Sequence, residues 1–531
     1  MKGPRRNSIP LIHPAGWLGC LGMMLCLLTP WPLQAKSSDD QKESGKSELP
    51  SKTKADKSPM VGIWEGTLNV GGIQLRLGFH IKQKEDGTFI GTMDSIDQGA
   101  RNIPLSSVKV EGKQVTLEFK LGRMTYTAKL SDDQQKLAGT FEQHGQTFPL
   151  ILNRMEKATV LVRPQEPKPP FPYKAVDISV ENPKAEKVKL AGTLTLPEGK
   201  GPFKAVILIS GSGPQNRDEE ILGHKPFWVI ADYLTRQGVA VLRFDDRGVA
   251  KSTGNFAQAT TADFATDVEA LFNYLKTRPE IDPKRIGLMG HSEGGLIAPM
   301  VAAACPDIGF IVLLAGPGTR GDVILRGQRS LISKANHISD KANAQSEKIL
   351  EKLVAILREE KDEKATREKM MGLIEEVLKQ MSEEDRAEVS KQLAAAGFSG
   401  DEAKLRSKQD DFIRNQFKAS IERMNNPWFR YFVEYDPQPT LKQVKCPVLA
   451  VNGELDLQVP CQENLKAIAD AVKAGGNHNV TTKAFPKLNH LFQKTETGNP
   501  AEYGHIEETF SPEVLQFIGD WIKRLNSADS K

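Results

Sequence analysis

The spacing of apolar positions changes along the chain, and each change predicts a different architecture. From Met60 to about Met155 the period is two. Ile73, Leu75, Leu77, Phe79 and Ile81 alternate with Gln74, Arg76, Gly78, His80 and Lys82, and Val115, Leu117, Phe119 and Leu121 repeat the alternation. Turn-forming residues at Gly71-Gly72, Asp86-Gly87, Glu111-Gly112-Lys113 and His144-Gly145 divide the runs. Because successive side chains of a strand point to opposite faces, this pattern predicts an antiparallel meander with one buried face.

Beyond Arg163 to Pro172, a proline-rich stretch that reads as a stiff connector, the pattern becomes mixed. Val188–Leu196, Lys204–Ile209, Val239–Phe244 and Phe310–Leu314 read as strands, several of them continuously apolar. Asp263 to Leu275 places Phe264, Val268, Leu271 and Leu275 on one helical face. Strands alternating with helices predict a mostly parallel sheet covered on both faces. From about Arg320 to Tyr435 the alternation gives way to long, charged helical stretches, with one apolar stripe formed by Ile349, Leu350, Leu353, Ile356 and Leu357 and another helix over Met370 to Met381. Strand and helix then resume at Pro447–Val451, Cys461–Val472, Val480–Phe485 and Pro512–Leu525. A helical block placed after one strand of such a sheet is what a lid over an active site would look like.

The candidate chemistry lies where a short apolar strand, Arg285 to Met289, runs into Gly290-His291-Ser292-Glu293-Gly294-Gly295 and then an apolar helix from Leu296 to Ala304. Strand, sharp turn and helix around G-x-S-x-G predict a nucleophile elbow, with Ser292 strained and exposed and the glycines admitting close backbone approach. Pro299, inside the expected helix, runs against it. A serine needs a base, and the base an orienting acid. After Pro447–Val451 come Glu454 and Asp456, either of which is a possible acid. His490 follows the next strand, at the edge where Ser292 emerges. His478 precedes that strand, His505 lies farther along a loop, and His291 reads as a packing residue. The small-residue loop Ser210-Gly211-Ser212-Gly213-Pro214 suits an oxyanion hole. Its donor would be the Ser212 amide, with Gly213 and Gln215 as neighbours, paired with the amide of Glu293. Trp428, Phe429 and Phe432, in an aromatic cluster that closes the helical block, would either face the substrate pocket or pack where the block rejoins the sheet.

Ile209-Ser210-Gly211-Ser212-Gly213-Pro214, Asp245-Asp246-Arg247-Gly248, Gly290-His291-Ser292-Glu293-Gly294-Gly295, Gly453-Glu454-Leu455-Asp456 and Leu488-Asn489-His490 occur in that order. Together they resemble the α/β-hydrolase superfamily, in particular bacterial carboxylesterases that carry an N-terminal extra domain and a helical insert. The resemblance spans roughly residues 174 to 530. It implies an α/β-hydrolase fold, hydrolysis of short-chain carboxylic esters without a cofactor, and Ser292, Asp456 and His490 as the triad. Asp456 is preferred to Glu454 largely on this ground, and the Asp-Asp-Arg-Gly turn is read as architectural. Gly62-Ile63-Trp64, followed by hairpins, resembles lipocalin-like small barrels, which could hold an apolar ligand, dock to a surface or serve as a structural module.

Composition narrows the remaining classes. The 531 residues suggest two or three domains; 39% are hydrophobic and 26% charged, which fits a globular protein. A formal net charge of +4, with lysines interspersed among acids, gives no case for nucleic acid binding. Lys2, Arg5 and Arg6 precede the apolar stretch Trp17–Leu28 and Leu33-Gln34-Ala35, a pattern that predicts a signal peptide over 1–35 and export, with no membrane span retained after cleavage. Residues 36–59 are polar enough to predict a disordered tether. Cys305, Cys446 and Cys461 would remain in the exported chain; a Cys446–Cys461 bridge or free buried thiols are both open. No metal-ligand spacing appears. The predicted organisation is completed by an antiparallel β domain over 60–156, a linker over 157–173, and an α/β domain over 174–531 with a helical insert at about 320–435. A peptidase or thioesterase would use the same triad, and Glu219 and Glu220 are candidates to hold a substrate ammonium. A catalytically silent binding module is the alternative from another class.

Overall fold

A computed structural model describes residues 58–525, apart from 71–72, 98, 144–145, 384–385 and 387–401. The expected signal peptide, nearly all of the tether and the turns at Gly71-Gly72 and His144-Gly145 lie outside the described residues.

Among the described residues the N-terminal part contains nine strands: β1 (Gly62–Val70), β2 (Ile73–Gln83), β3 (Phe89–Ser95), β4 (Ala100–Pro104), β5 (Ser107–Glu111), β6 (Gln114–Phe119), β7 (Met124–Leu130), β8 (Lys136–Gln143) and β9 (Gln146–Met155). Their order is β2-β1-β9-β8-β7-β6-β5-β3-β4, and β2 also pairs with β3, so the antiparallel sheet closes on itself as a barrel-like ring with β4 alongside. Closure removes the open edges that a meander would leave. Its interior is filled by large side chains, including Trp64, Phe79 and Tyr126. Phe79 and Tyr126 stack at 5.7 Å, and the Tyr126 hydroxyl donates to the Leu137 carbonyl at 2.8 Å. Leu75, Leu77, Phe79 and Ile81 are buried as their alternation predicts, but Leu121 is 88% exposed. It lies beyond the end of β6, where the chain turns and the face assignment no longer applies.

Eight further strands form the second sheet: β10 (Lys174–Glu181), β11 (Lys189–Leu196), β12 (Phe203–Ile209), β13 (Val239–Phe244), β14 (Ile281–His291), β15 (Phe310–Leu314), β16 (Val448–Gly453) and β17 (Val480–Phe485). Their order is β10-β11-β13-β12-β14-β15-β16-β17. The pairings β10–β11 and β11–β13 are antiparallel; every neighbour from β13 to β17 is parallel. β13, β15 and β16 are buried at every position, as strands covered on both faces must be.

The covering helices are α1 (Pro226–Arg236), α2 (Thr261–Lys276), α3 (Gly294–Ala304), α4 (Gly321–Ala335), α5 (Asp340–Glu359), α6 (Glu363–Gln380), α7 (Glu402–Met424), α8 (Pro427–Glu434), α9 (Gln438–Leu441), α10 (Cys461–Ala474) and α11 (Pro512–Arg524). Helices α4 to α9 lie between β15 and β16. Pro299 sits inside α3 without ending it, and nothing in the structure explains its presence there. The three cysteines outside the expected signal segment are free thiols. No described helix is long and apolar enough to cross a membrane.

The connector between the two sheets is clipped to the second one. The Arg163 guanidinium donates to the carbonyls of Leu222 (2.9 Å), Gly504 (2.9 Å) and Ile506 (3.0 Å). Gln165 accepts from the amides of Thr509 and Phe510 and donates to the Phe510 carbonyl.

Candidate active site

Because β12, β14, β16 and β17 are parallel, their C-terminal ends share one edge of the sheet, the edge where open α/β sheets hold their ligands. Ser292 directly follows β14. It has φ +51°, a left-handed conformation that serine adopts only when its surroundings impose it. Those surroundings are the glycines. A Cβ on Gly290 would lie 1.9 Å from the Gly294 carbonyl oxygen, and one on Gly294 would lie 2.2 Å from that of Ile209. The Ser292 amide is tied to the Leu314 carbonyl at 2.9 Å. Its side chain makes no hydrogen bond among the described residues and remains partly exposed.

Asp456 and His490 come together from the loops after β16 and β17. Oδ2 of Asp456 lies 2.8 Å from Nδ1 of His490, while Oδ1 accepts the amides of Gln458 (2.8 Å) and Val459 (2.9 Å). Both residues are buried, whereas Glu454, His478 and His505 are exposed. The His490 ring lies 4.8 Å from that of His291, the residue before the serine.

The loop after β12 reaches the same place. A Cβ on Gly211 would lie 3.2 Å from Cβ of Ser292. This loop is pinned at both ends. Gly211 donates its amide to Oε1 of Glu219 at 2.7 Å, Ser210 its hydroxyl to Oδ1 of Asp246 at 2.8 Å, and Gln215 its amide to Oδ2 of Asp246 at 2.9 Å. The pinning engages Gln215, which sequence had as a neighbouring donor. Among the described residues, the backbone N–H groups of Ser212, Gly213 and Glu293 have no partner. Burial pushes the Asp246 carboxyl well above the usual range, against the pull of the Gln215 and Ser210 hydrogen bonds. The neighbouring Arg247 is occupied by the buried Asp267, at 2.7 Å.

Two titratable side chains at the elbow have partners that the sequence reading did not assign. His291 does more than pack. Its Nδ1 lies 2.9 Å from Oε1 of Glu219, and its Nε2 donates to the His490 carbonyl at 3.0 Å. Burial works against a charged imidazole here, yet the Glu219 carboxylate and the hydrogen bonds raise its pKa overall. The side chain of Glu293 is the second. Its Oε1 accepts from the Thr261 hydroxyl and from the Trp428 indole N–H, both at 2.7 Å, and burial pushes its pKa up to about 7. Both belong to G-x-S-x-G, so the available signal was a titratable residue on each side of the nucleophile.

Trp428, Phe429 and Phe432 are buried in α8, with Trp428 and Phe432 stacked at 5.4 Å. All three belong to the hydrophobic core cluster, and the Trp428 indole N–H donates to Glu293 of the elbow at 2.7 Å. Among the described residues no group of three or more His, Cys, Asp or Glu side chains is disposed to hold a metal ion.

The model of one family, Hydrolase_4 (serine aminopeptidase, S33), matches residues 227–496, just over half of the chain. The chain belongs to this family. It is an α/β hydrolase preceded by an antiparallel barrel-like domain. Among curated proteins it is similar to the esterase EstD of Thermotoga maritima, at 25% identity over 336 residues covering 62% of this chain and 65% of EstD. It also matches a 31.7 kDa Escherichia coli protein from the traX–finO intergenic region, at 25% identity over 63% of this chain and 96% of that protein. A thiohydrolase of Aspergillus aculeatus, aneE, is 35% identical over 123 residues, 23% of this chain and 35% of that enzyme. Among solved structures, the Pyrococcus furiosus esterase Pf2001 aligns with a TM-score of 0.38 and 17% identity, over 70% of this chain and 99% of its own.

Proposed function

We propose that this hydrolase cleaves carboxylic esters, with short acyl chains preferred, through an acyl-enzyme on Ser292. The observation that carries the reading is the convergence on one sheet edge of a strained, unpartnered serine, a buried His490–Asp456 pair and three free backbone amides. In the first half-reaction His490 takes the proton of Ser292 as the oxygen attacks the acyl carbonyl. The tetrahedral oxyanion is held by the amides of Ser212 and Glu293. His490 then returns the proton to the departing alcohol. In the second half-reaction water, deprotonated by His490, attacks the acyl-serine, and Ser292 leaves with its proton restored. Asp456 holds the imidazole in the tautomer that keeps Nε2 available. Helices α4 to α8 act as a cap in this reading, with Trp428, Phe429 and Phe432 as its apolar backing beside the elbow.

The same machinery would serve an aminopeptidase, as the family description suggests. Against this stands Glu219, whose Oε1 already accepts from Gly211 and faces Nδ1 of His291, which commits that oxygen within the loop. Glu220 is exposed and accepts from Asn216. Export through residues 1–35, and a structural role for the N-terminal barrel as a separate domain over 60–156, complete the proposal. Replacing Ser292 by Ala should abolish both 4-nitrophenyl butyrate hydrolysis and labelling by a fluorophosphonate; survival of either rejects the serine. Turnover of an aminoacyl-anilide exceeding that of the ester would replace esterase by peptidase.

A further inference from the structure

The geometry points to Glu219 and His291 as a pair of positioning residues that lock the oxyanion loop to the triad histidine. The inference rests on the triad reading above and deepens it. One carboxylate oxygen, Oε1 of Glu219, receives both the Gly211 amide (2.7 Å) and Nδ1 of His291 (2.9 Å). Gly211 is the residue before Ser212, so this hydrogen bond sets where the loop's free amides lie. On its other side the His291 ring donates from Nε2 to the backbone carbonyl of His490 (3.0 Å). A continuous chain of three hydrogen bonds thus runs from the oxyanion loop, through the residue before Ser292, to the residue that supplies the base. The two side chains are enclosed, with Glu219 at 4% and His291 at 7% exposure, while Gly211 is half-buried.

The chain is built at a local cost. Glu219 has φ +49°, a left-handed backbone conformation, in a turn organised by Asn216, whose side-chain oxygen accepts the amides of Asp218 and Glu220. Arg243, bonded to Asp218, holds that turn against the sheet. Nε2 of His291 donates to a carbonyl and Nδ1 faces the Glu219 carboxylate, which raises the pKa of the imidazole against the effect of burial. The groups facing it are the Glu219 carboxylate, the Asp456 carboxylate and the His490 ring.

The pair touches no reacting atom, so its removal should alter the transition state more than substrate binding. In Glu219→Ala, kcat normalised to the sites titrated by a fluorophosphonate should fall by about 10²-fold, with KM changed less than about threefold. Glu219→Gln should recover most of that loss. With its carbonyl oxygen at the position of Oε1, it can accept from both the Gly211 amide and Nδ1 of His291. If Glu219→Ala does not fold, Glu219→Asp retracts the carboxylate by one methylene and should show a kcat loss of about tenfold at unchanged KM. A normalised kcat within about threefold of wild type in the variant that folds overturns the proposal, as does a Gln variant no better than Ala. Hydrolysis surviving in Ser292→Ala would instead remove the triad reading itself, so the two failures are distinct.

Discussion

Asp456 divides its carboxylate between the chain and His490: Oδ1 accepts two backbone amides and Oδ2 faces Nδ1 of the imidazole at 2.8 Å. The two amides fix the carboxylate, so the imidazole is oriented by a group that cannot itself rotate away. In Asp456→Asn the side-chain amide would present either a donor to Nδ1, selecting the wrong tautomer, or an uncharged acceptor. The expected kcat is lower by about 10⁴-fold, while Glu454→Gln, at the exposed neighbour, should stay within about twofold. Steady-state hydrolysis of an aryl ester by the two variants checks the assignment.

Gly290 and Gly294 make the strained turn possible by leaving no atom where a Cβ would meet main chain. Main chain held in the turn and the first residues of α3 cannot swing aside as a long side chain can. Gly290→Ala should therefore destabilise the fold by about 3 kcal/mol or more, read as a lowered midpoint in thermal unfolding. Gly476→Ala, where a Cβ would meet nothing within 4 Å but the backbone is left-handed, should cost about 1 kcal/mol.

Glu293 links pH to stability. Its folded pKa of about 7 lies above the ordinary 4.5, chiefly through burial, so the folded state binds the extra proton between these values. Stability from this group is thus present below about pH 4.5 and is lost as pH rises towards 7. Glu293→Gln, which can still accept from Thr261 and Trp428, should be more stable than wild type by about 3 kcal/mol at pH 8, with the difference vanishing near pH 4. Denaturant titrations at the two pH values give the comparison.

His224 acts in the opposite sense. Burial lowers its pKa from 6.5 to about 4, and its ring is taken up by the Thr509 hydroxyl and the Tyr503 carbonyl. Here the unfolded chain binds the extra proton, so stability should fall as pH drops from about 6.5 to 4, by roughly 3 kcal/mol. His224→Gln should flatten that slope in acid denaturation.

Arg163 joins the connector to the Leu222 turn and to the Gly504–Ile506 segment, which belongs to the same long loop as His490. Arg163→Ala leaves three carbonyls without this donor and should cost about 2–3 kcal/mol. Calorimetry reads that loss. A parallel fall in kcat, with ester KM unchanged, would show that the connector also steadies the histidine loop.

Much of this protein is legible in the order of its residues. Local signals suffice where one face, or both, is buried by regular structure. The limits Val239–Phe244, Phe310–Leu314 and Val480–Phe485 agree with the sequence reading. The edge strand β10 and the helix α1 were not anticipated. β10 is largely exposed and shows little apolar contrast, and α1 follows directly on an irregular loop.

The G-x-S-x-G turn and the positions of the acid and base candidates after their strands are legible in sequence because strand direction, chain order and glycine sterics act over short spans. The preference for Asp456 over Glu454, by contrast, comes largely from the family resemblance. Which partners each side chain has was decided by tertiary structure alone. Glu219 and His291 are 72 residues apart, Glu293 and Trp428 135 apart, and the barrel closes by pairing β1 with β9. Such contacts depend on desolvation and on which elements the folded sheets bring side by side, quantities that no local pattern of apolar and polar residues contains.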